Sequence, residues 1–318
     1  MTVSSKPFRL GLIGARGYVG TELIRLLADH PSIELGLVSS REREGLPVHD
    51  FEPTAAKGLR YVNATPEQAI LEDLDVLVLA LPNGMAAAWA HAFDLAGSRA
   101  IVLDLSADFR FDSDWHYGLP ELNRRSTDRH KRISNPGCYA TAMQLAIAPM
   151  RGQLAGAVAC FGVSGYSGAG TVPSANNDPD NLRDNLIPYT LTGHIHEREV
   201  VSRLGCGIHF MPHVAPHFRG LSITASLPLT APITSAEAQA LYRKFYQGEP
   251  LIGIQSNAPW LSTVANTPSA LIGGFTTSED GNRLVVVSVL DNLLKGAASQ
   301  ALQNINLALG LNETTGIL

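Results

Sequence analysis

Short apolar runs and amphipathic segments alternate along the first part of the chain. Four apolar runs read as buried strands, and leucines and alanines at helical spacing indicate helices between them. The strands are predicted at Phe8–Ile13, Ile33–Ser39, Asp75–Leu81 and Ala100–Leu105, and helices after Gly17 and over Gly84–Ala96. Because strands that alternate with helices form βαβ units, we expect a doubly wound α/β domain with a mostly parallel sheet over residues 1–137.

The rhythm changes after about residue 138. A helix is predicted first, followed by strands that only turns or single helices separate, which indicates an α+β domain with a mixed, largely antiparallel sheet over residues 138–291. The helices are expected at Tyr139–Met150 and Ser235–Tyr246, and the strands at Ala157–Ser164, Gly207–Pro212, Leu221–Leu227, Leu271–Phe275 and Leu284–Leu290. The polar stretch Thr171–Pro188 is predicted to be a long surface loop, and Asn292–Leu309 a final helix.

Composition narrows the class of protein. The 318 residues are 45% hydrophobic and 17% charged, which excludes a wholly disordered chain, and a formal charge of −5 without a basic stripe argues against nucleic-acid binding. Neither a signal segment in Met1–Arg9 nor an apolar run long enough for a membrane span is evident. Three cysteines exclude a disulfide scaffold. From these observations together, we expect a soluble, cytoplasmic protein that binds neither nucleic acid nor membrane.

A glycine-rich turn follows the first predicted strand. Gly14, Gly17 and Gly20 are spaced three apart and lead into a helix. Glycines there allow the backbone to approach a pyrophosphate, and the helix N-terminus offers N–H groups to the anion. An ordinary strand–helix turn is the alternative. The context favours a Rossmann-type dinucleotide site with cofactor contacts from Gly14, Arg16, Gly17, Tyr18 and Val19.

The end of the second predicted strand indicates which dinucleotide binds. An NAD site usually carries an acid there, whereas this chain has Ser39, Ser40 and Arg41. Hydroxyls and a guanidinium suit a 2′-phosphate, so the sequence predicts NADP(H). The alternative is that Arg41 only begins the charged loop Arg41–Glu44.

One cysteine lies in a turn that is typical of a nucleophile. Asn135, Pro136 and Gly137 form a turn signal, and Cys138 then begins the predicted helix. A thiol at a helix N-terminus ionises more readily than a free one. We therefore predict that Cys138 is the nucleophile, and that Cys160 and Cys206 are packing residues.

The segment His194–Glu199 supplies candidate acid–base groups. An imidazole suits proton transfer near neutral pH, and Glu199 follows His196 by three residues, a spacing that would let its carboxylate orient the ring on a helix. A polar patch at a helix start is the alternative. The spacing is not that of a zinc site, so no metal is expected.

Together these motifs resemble the N-acetyl-γ-glutamyl-phosphate reductase family, within the aspartate-semialdehyde dehydrogenase superfamily. The resemblance runs the length of the chain and rests on eight segments in order: Gly14–Leu23, Leu81–Gly84, Asp104–Arg110, Asn135–Thr141, Ser164–Gly170, Gly193–Glu199, Pro212–Gly220 and Asp291–Ala298. It departs from the family pattern at Arg16, Asn83 and Ile195, none of which removes a group that the chemistry needs.

The resemblance implies a role for each site residue. Cys138 attacks the acyl phosphate to give a thioester that NADPH reduces, with His196 as acid–base, His194 as the alternative, and Glu199 beside them. It implies substrate contacts from Arg110, His194 and Arg219, and further cofactor contacts from Pro82, Ser167, Gly168 and Asn292. It also implies that residues 292–318 complete the first domain and that the protein is a homo-oligomer, either a dimer or a tetramer.

Two alternatives to this function stay open at this stage. A reductase of the homologous N-acetyl-aminoadipyl phosphate, free or linked to a carrier protein, would differ by one methylene in the substrate, which sequence does not reveal. A non-catalytic NADP(H) sensor would need the glycine turn but not Cys138, His196 and Arg110 together.

Overall fold

The computed structural model describes residues 6–127 and 130–318, and the chain divides into two compact units. Unit 1 comprises the residues up to Pro136 together with Ala297–Leu318, and unit 2 comprises Gly137–Gly296. The sequence-based division lies after residues 137 and 291, within a few residues of these boundaries.

Within the described residues, unit 1 is built on one parallel sheet of six strands in the order β2-β1-β3-β4-β6-β5. Its strands are β1 (Phe8–Ile13), β2 (Ile33–Ser39), β3 (Val76–Leu79), β4 (Ile101–Asp104), β5 (His116–Tyr117) and β6 (Arg132–Ser134). Its first helices are α1 (Tyr18–Leu27), α2 (Pro66–Ile70), α3 (Ala86–Leu95) and α4 (Pro120–Thr127), with 3-10 turns at Arg41–Arg43 and Val48–Asp50.

Both faces of the unit 1 sheet are covered. On β3, Val76 and Val78 enter one apolar core, while Leu77 and Leu79 enter a second core that includes Phe93 of α3. Successive side chains of a strand point to opposite faces, so a strand covered on both sides must be apolar throughout. This is why the continuous apolar runs of the sequence predicted these strands.

Unit 2 contains a seven-stranded mixed sheet, counted over the described residues, in the order β11-β12-β13-β10-β7-β9-β8. Its strands are β7 (Val158–Gly165), β8 (Ile187–Pro188), β9 (Ile208–Ala215), β10 (Leu221–Pro228), β11 (Ile252–Ile254), β12 (Ala270–Thr277) and β13 (Arg283–Leu290). Its helices are α5 (Cys138–Ile147), α6 (Pro179–Leu182), α7 (Ile195–Leu204), α8 (Ser235–Phe245) and α9 (Leu261–Val264), with 3-10 turns at Ala148–Gln153 and Tyr166–Ala169.

The antiparallel pairs β10–β7, β10–β13, β12–β13 and β8–β9 outnumber the parallel pairs β7–β9 and β11–β12. Helix α5 packs against β10 and β13, and its residues Tyr139–Ile147 are all buried. Along β7 and β10, alternate residues such as Phe161 and Thr224 are exposed. Unit 2 therefore covers one face of its sheet with helices and leaves apolar and hydroxyl side chains on the other.

The C-terminal segment differs from the single helix predicted over Asn292–Leu309. A π-helical turn, Leu294–Ala298, precedes α10 (Ser299–Ala308), which packs against α1, α4 and β4 of unit 1. A Cβ on Gly296 would lie 2.7 Å from the Cβ of Cys138. The π-helical turn therefore contains a glycine at the point where it packs closely against Cys138. The loop predicted over Thr171–Pro188 was likewise wrong in part, because it contains α6 and β8.

No helix in the described part of the chain is both long and apolar enough to span a membrane.

Candidate active site

The thiol of Cys138 lies at the first turn of a buried helix. Cys138 is the first residue of α5, and Gly137 is the N-cap with an extended backbone (φ −70°, ψ 150°). Cys138 is half-buried, whereas the residues after it are fully buried. The turn predicted from the sequence therefore puts the sulfur where the helix dipole favours negative charge.

Glu199 fixes the residue before the nucleophile. Its Oε1 accepts a hydrogen bond from the backbone N–H of Gly137 at 2.9 Å, and Glu199 itself is completely buried on α7. Helices α5 and α7 pack against each other, which brings these groups together. This hydrogen bond ties α7 to the start of α5, and the orienting of His196 by the same carboxylate stays a prediction.

The two histidines of the motif are placed differently. His194 is the N-cap of α7, and its Nδ1 accepts the backbone N–H of His196 at 3.1 Å. Because Nδ1 accepts, the proton of the neutral ring is on Nε2. Burial lowers the pKa of His194, with the charge of Glu197 opposing the shift, and this keeps the ring neutral. The two rings lie 4.8 Å apart.

Aromatic side chains surround these histidines. The ring of Tyr139 lies 6.1 Å from that of His196, and its hydroxyl donates to the carbonyl oxygen of His213 at 2.7 Å. Tyr189 lies 5.6 Å from His194, ring to ring. The pKa of Tyr189 is raised, first by burial and then by the nearby Cys138. Sequence reasoning missed both tyrosines; only the position of Tyr139 next to Cys138 could have signalled one of them.

The other two cysteines are not prepared for chemistry in this way. Cys160 is completely buried in β7, and burial raises the pKa of its thiol to about 12. Burial also raises the pKa of the half-buried Cys206. A high pKa keeps a thiol protonated and unreactive, so the packing role predicted for Cys160 agrees with its surroundings.

Three residues predicted to contact the cofactor lie together in unit 2. The side-chain amide of Asn292 donates to Ser167 Oγ at 2.9 Å and accepts the backbone N–H of Gly220 at 2.7 Å. A Cβ on Gly168 would lie 3.1 Å from Ser164 Oγ, so a larger residue would crowd this loop. Asn292 of the motif Asp291–Ala298 is thus joined by direct hydrogen bonds to the motifs Ser164–Gly170 and Pro212–Gly220.

Arg219 lies next to this cluster and is held by a buried acid. Its Nε lies 3.0 Å from Oδ2 of Asp291, which is fully buried, and its guanidinium also donates to the side chain of Asn266. Asp291 accepts the backbone N–H of Leu293 at 2.9 Å as well. The guanidinium is therefore held in one orientation, as a group that recognises an anion must be.

The glycines of the first turn divide into two kinds. Gly14 has φ +82°, and a Cβ there would lie 2.1 Å from the carbonyl oxygen of Ala80. A Cβ on Gly20 would lie 2.7 Å from the backbone of Ala15. Gly17, the N-cap of α1, would meet only the carbonyl oxygen of Gly14, at 3.5 Å. Packing requires glycine at positions 14 and 20, whereas contacts within the protein do not explain why residue 17 is a glycine.

Hydroxyl and guanidinium groups lie at the carboxyl ends of β1 and β2, next to the N-terminus of α1. No side chain caps α1, which Tyr18 and Val19 open, within the described residues. Ser39 Oγ accepts the backbone N–H of Ala64 at 3.2 Å. The buried Oγ of Ser40 has no hydrogen-bond partner among those residues. Beside them lie the charged side chains Arg16 and Arg41.

The loops that follow β3 and β4 lie at the same, carboxyl-terminal edge of the unit 1 sheet. The Asp108 carboxylate accepts the backbone N–H groups of Gly84 and Ala86 at 2.6 and 3.0 Å, which fixes the loop that contains the exposed Pro82. Arg110 is buried, and its guanidinium donates to the carbonyl oxygens of Leu105 and Asn135 at 3.1 and 2.9 Å. Its predicted substrate contact stays a prediction, since these bonds hold the turn before the nucleophile.

In residues 6–127 and 130–318, no three His, Cys, Asp or Glu side chains converge in a way that could hold a metal ion.

Comparison with known proteins follows the same two-unit division. Residues 9–130 match the NAD binding domain of semialdehyde dehydrogenases, and residues 138–292 match their dimerisation domain. Among solved structures, aspartate semialdehyde dehydrogenase II of Vibrio cholerae, complexed with ASA, is similar with a TM-score of 0.78 at 20% identity, covering 96% of this chain and 99% of that one. Aspartate semialdehyde dehydrogenase of Candida albicans, solved with NADP, has a TM-score of 0.76 at 17% identity over the same shares. At these identities the likeness shows the fold, which confirms the predicted fold class.

The sequence relatives are much closer. A protein of Xylella fastidiosa named N-acetyl-gamma-glutamyl-phosphate reductase is 55% identical over 315 residues, 99% of this chain and 96% of the relative. One of the same name from Xanthomonas axonopodis pv. citri is 54% identical over 317 residues and the full length of both chains. The chain belongs to the N-acetyl-γ-glutamyl-phosphate reductase family of semialdehyde dehydrogenases.

Proposed function

We propose that the protein reduces N-acetyl-L-glutamyl 5-phosphate to N-acetyl-L-glutamate 5-semialdehyde and phosphate, with NADPH as the reductant, as a step of arginine biosynthesis. The observation that carries the proposal is the half-buried thiol of Cys138 at the glycine-capped N-terminus of α5, with His196 and the buried Glu199 on the adjacent helix. Relatives that carry this name at 54% and 55% identity support the choice of substrate.

The first half of the reaction is an acyl transfer. The thiolate of Cys138 attacks the acyl-phosphate carbonyl carbon, the bond to the phosphate oxygen breaks, and phosphate leaves with the electron pair. The product is a thioester on Cys138. Hydrogen-bond donors at the α5 N-terminus are suited to stabilise the negative charge on the carbonyl oxygen as it forms.

The second half releases an aldehyde. When bound, NADPH supplies a hydride to the thioester carbonyl carbon. The resulting thiohemiacetal collapses by breaking its carbon–sulfur bond, which regenerates the Cys138 thiolate and frees the semialdehyde. An acid–base group must give a proton to the oxygen in one step and remove it in the other.

We assign that proton transfer to His196. His194 uses its Nδ1 to cap α7, and its burial favours the neutral ring, so it is better suited to donate one fixed hydrogen bond from Nε2 to the substrate. Glu199 supports the pair by fixing α7 against Gly137. Arg219, oriented by Asp291, is the candidate for binding a substrate anion, and Arg110 for a second contact.

The residues at the carboxyl edge of the unit 1 sheet fit NADP(H). Gly17 leaves room for a pyrophosphate beside the uncapped N-terminus of α1, and the buried Oγ of Ser40 has its hydrogen-bonding capacity to offer. Arg16 and Arg41 carry the charge that a 2′-phosphate needs. Ser167, Gly168 and Asn292 of unit 2 are also proposed as cofactor contacts, and the hydrogen bond from Asn292 to Ser167 supports grouping them.

A homo-oligomer, either a dimer or a tetramer, is the assembly we propose. The match of residues 138–292 to a dimerisation domain supports it. So does the face of the unit 2 sheet on which Phe161 is exposed and Val163, Met211 and Val287 are partly exposed, because apolar surface of this kind is typical of interfaces.

The test of the function is phosphate-dependent reduction of NADP⁺ by N-acetylglutamate semialdehyde, the reverse reaction, followed by absorbance. We expect turnover by the wild type, and a fall of at least about three orders of magnitude in Cys138→Ser, because the covalent route is lost. Cys206→Ser changes the same atom in a half-buried thiol elsewhere and is the matched control.

Two results would contradict the proposal. A wild type without turnover would point to a protein that only binds the dinucleotide, and near-normal turnover by Cys138→Ser would exclude the thioester. The semialdehyde that is one methylene longer, assayed beside the first, tests the substrate: a higher kcat/KM for the longer compound would replace the proposed substrate by its homologue.

A further inference from the structure

An acid lies between the two arginines at the end of β2. Glu42 follows Arg41 in a 3-10 turn, and its Oε2 lies 3.4 Å from Nε of Arg16, which belongs to the glycine turn. Its Oε1 lies 3.8 Å from Nη2 of Arg41. One carboxylate thus contacts guanidinium groups that reach it from two different loops.

The neighbouring charges do not join this cluster. The guanidinium of Arg43 lies 3.9 Å from the ring centroid of Phe51 and donates to the hydroxyl of Tyr61. Glu44 makes no ion pair among the described residues. Arg16, Arg41 and Glu42 therefore form a separate arrangement, which we name the β2-end cluster.

The ion pairs of the β2-end cluster are exposed and break easily. The side chains of Arg16, Glu42 and Arg41 are 38%, 50% and 81% exposed. Ion pairs with this exposure are weak because solvent screens them, so another anion can displace the carboxylate. A phosphate, with up to two charges and three oxygens, pairs with guanidinium groups better than a single carboxylate does.

The Glu42 carboxylate competes with a 2′-phosphate for the arginines, but it can favour the binding of a nucleotide that lacks the 2′-phosphate. A free ribose 2′-hydroxyl can donate a hydrogen bond to an acid at the end of the second strand, which is how dinucleotide sites commonly select NAD. The pKa of Glu42 is held below its usual value, first by its own backbone N–H and then by Arg16 and Arg41. Glu42 is consequently an anion at neutral pH.

We propose that Glu42 is a specificity-determining residue of the cofactor site, whose carboxylate occupies the Arg16–Arg41 pair until a ribose 2′-phosphate displaces it. The inference rests on the proposed use of NADP(H) and adds a residue that limits the preference for it. Glu42 lowers the affinity for 2′-phosphorylated nucleotides and does not lower that for NAD⁺.

The test is titration calorimetry with the full-length protein, using NADP⁺, NAD⁺ and adenosine 2′,5′-bisphosphate as ligands. In Glu42→Gln we expect both 2′-phosphorylated ligands to bind about 3- to 10-fold more tightly, because a competing exposed ion pair is removed. Binding of NAD⁺ should be unchanged or weaker. Glu44→Gln removes the same charge two residues away and should change the affinities by less than twofold.

Three outcomes would overturn the inference. They are unchanged affinity for both 2′-phosphorylated ligands, an equal gain for NAD⁺, and an equal gain in Glu44→Gln, since the last two indicate only a change in net charge. Failure here is distinguishable from failure of the proposed function. If wild type binds NADP⁺ and Cys138→Ser abolishes turnover while Glu42→Gln changes nothing, the function stands and the role of Glu42 falls.

Discussion

Each unit contains a helix that begins at a glycine with no side-chain cap among the described residues: α1 at Gly17 and α5 at Gly137. The two N-termini are otherwise different. At α5 the buried carboxylate of Glu199, on α7, accepts the N–H of Gly137. At α1 no side chain among the described residues caps the helix, and the carboxylate of Glu42 pairs with Arg16 of the preceding glycine turn and with Arg41.

The difference shows how one local design serves two tasks. A helix N-terminus attracts an anion, and the anion can come from a ligand or from the protein itself. Where the protein leaves the position open, as at α1, a phosphate can bind and leave. Where the protein supplies a buried acid, as at α5, the turn is held in place and its reacting group, Cys138, stays where it is needed.

Within this comparison, the largest effect is expected when the hydrogen bond between Glu199 and the α5 N-terminus is removed. Glu199→Ala leaves the N–H of Gly137 without its acceptor and loosens the turn before Cys138. A displacement of about 1 Å at a reacting group can cost about 100-fold in rate, so we expect kcat to fall by about that factor. The Kd for NADP⁺, measured by calorimetry, should not change.

Glu199→Gln separates positioning from charge. Its side-chain carbonyl can still accept the N–H of Gly137. If Glu199 acts by position, this variant should recover most of kcat and keep the wild-type pH profile. If instead the glutamine is as slow as the alanine, or the pH profile moves, the carboxylate acts through its charge on Cys138 or His196.

The fold was more accessible from the sequence than the site was. Strands β1 and β2 were predicted with the bounds that the structure has, Phe8–Ile13 and Ile33–Ser39, because apolar residues fill most positions of both strands. The short strands His116–Tyr117 and Arg132–Ser134 were missed. They contain too few apolar residues for a periodic signal, and neighbouring strands decide their conformation.

At the site, local chemistry was predictable and long-range pairing was not. A turn followed by an apolar helix placed Cys138 at a helix start, which the structure confirms. Glu199 lies 62 residues from Gly137, and Arg16 lies 26 residues from Glu42, so no spacing rule could pair them. The three-residue spacing of His196 and Glu199 predicts a contact within α7, which stays a prediction, whereas the contact of Glu199 with Gly137 comes from packing between helices.

A moderate effect is expected at the open N-terminus. In Gly17→Ala the new Cβ has room within the protein, since its nearest neighbour is the carbonyl oxygen of Gly14 at 3.5 Å. The cost in stability should be below about 1 kcal/mol, the penalty of alanine at an N-cap. The methyl group would, however, stand where a pyrophosphate approaches the backbone, so the Kd for NADP⁺ should rise about 10-fold or more.

Gly152→Ala is the control for this substitution, because a Cβ there meets nothing within 4 Å. Unchanged NADP⁺ affinity in Gly17→Ala, with a normal melting temperature, would mean that the cofactor does not use the α1 N-terminus. A large loss of stability would mean that Gly17 serves packing, as Gly20 does.

The smallest effect is a loss of stability at low pH, and we expect it to come from His194 of unit 2. His194 caps α7, the helix that carries Glu199, through Nδ1, which can accept only while the ring is neutral there. Burial lowers the pKa of His194 in the folded state, so the unfolded chain takes up its proton first as pH falls. This contribution to stability is complete above the unfolded value of about 6.5 and is lost as pH falls through the lower, folded value.

Asparagine is a good N-cap that does not titrate, so His194→Asn should remove this pH dependence and keep the helix. One proton can change the unfolding free energy by at most about 1.4 kcal/mol per pH unit. Denaturant unfolding at pH 7 and pH 5 should therefore show a smaller loss of unfolding free energy in the variant than in the wild type, by less than about 2.8 kcal/mol over these two pH units. His30 of unit 1, whose pKa burial also lowers, is present in both proteins and cancels in the difference. Equal losses in the two proteins would show that folding does not lower the pKa of His194, which would remove the reason for assigning proton transfer to His196 instead.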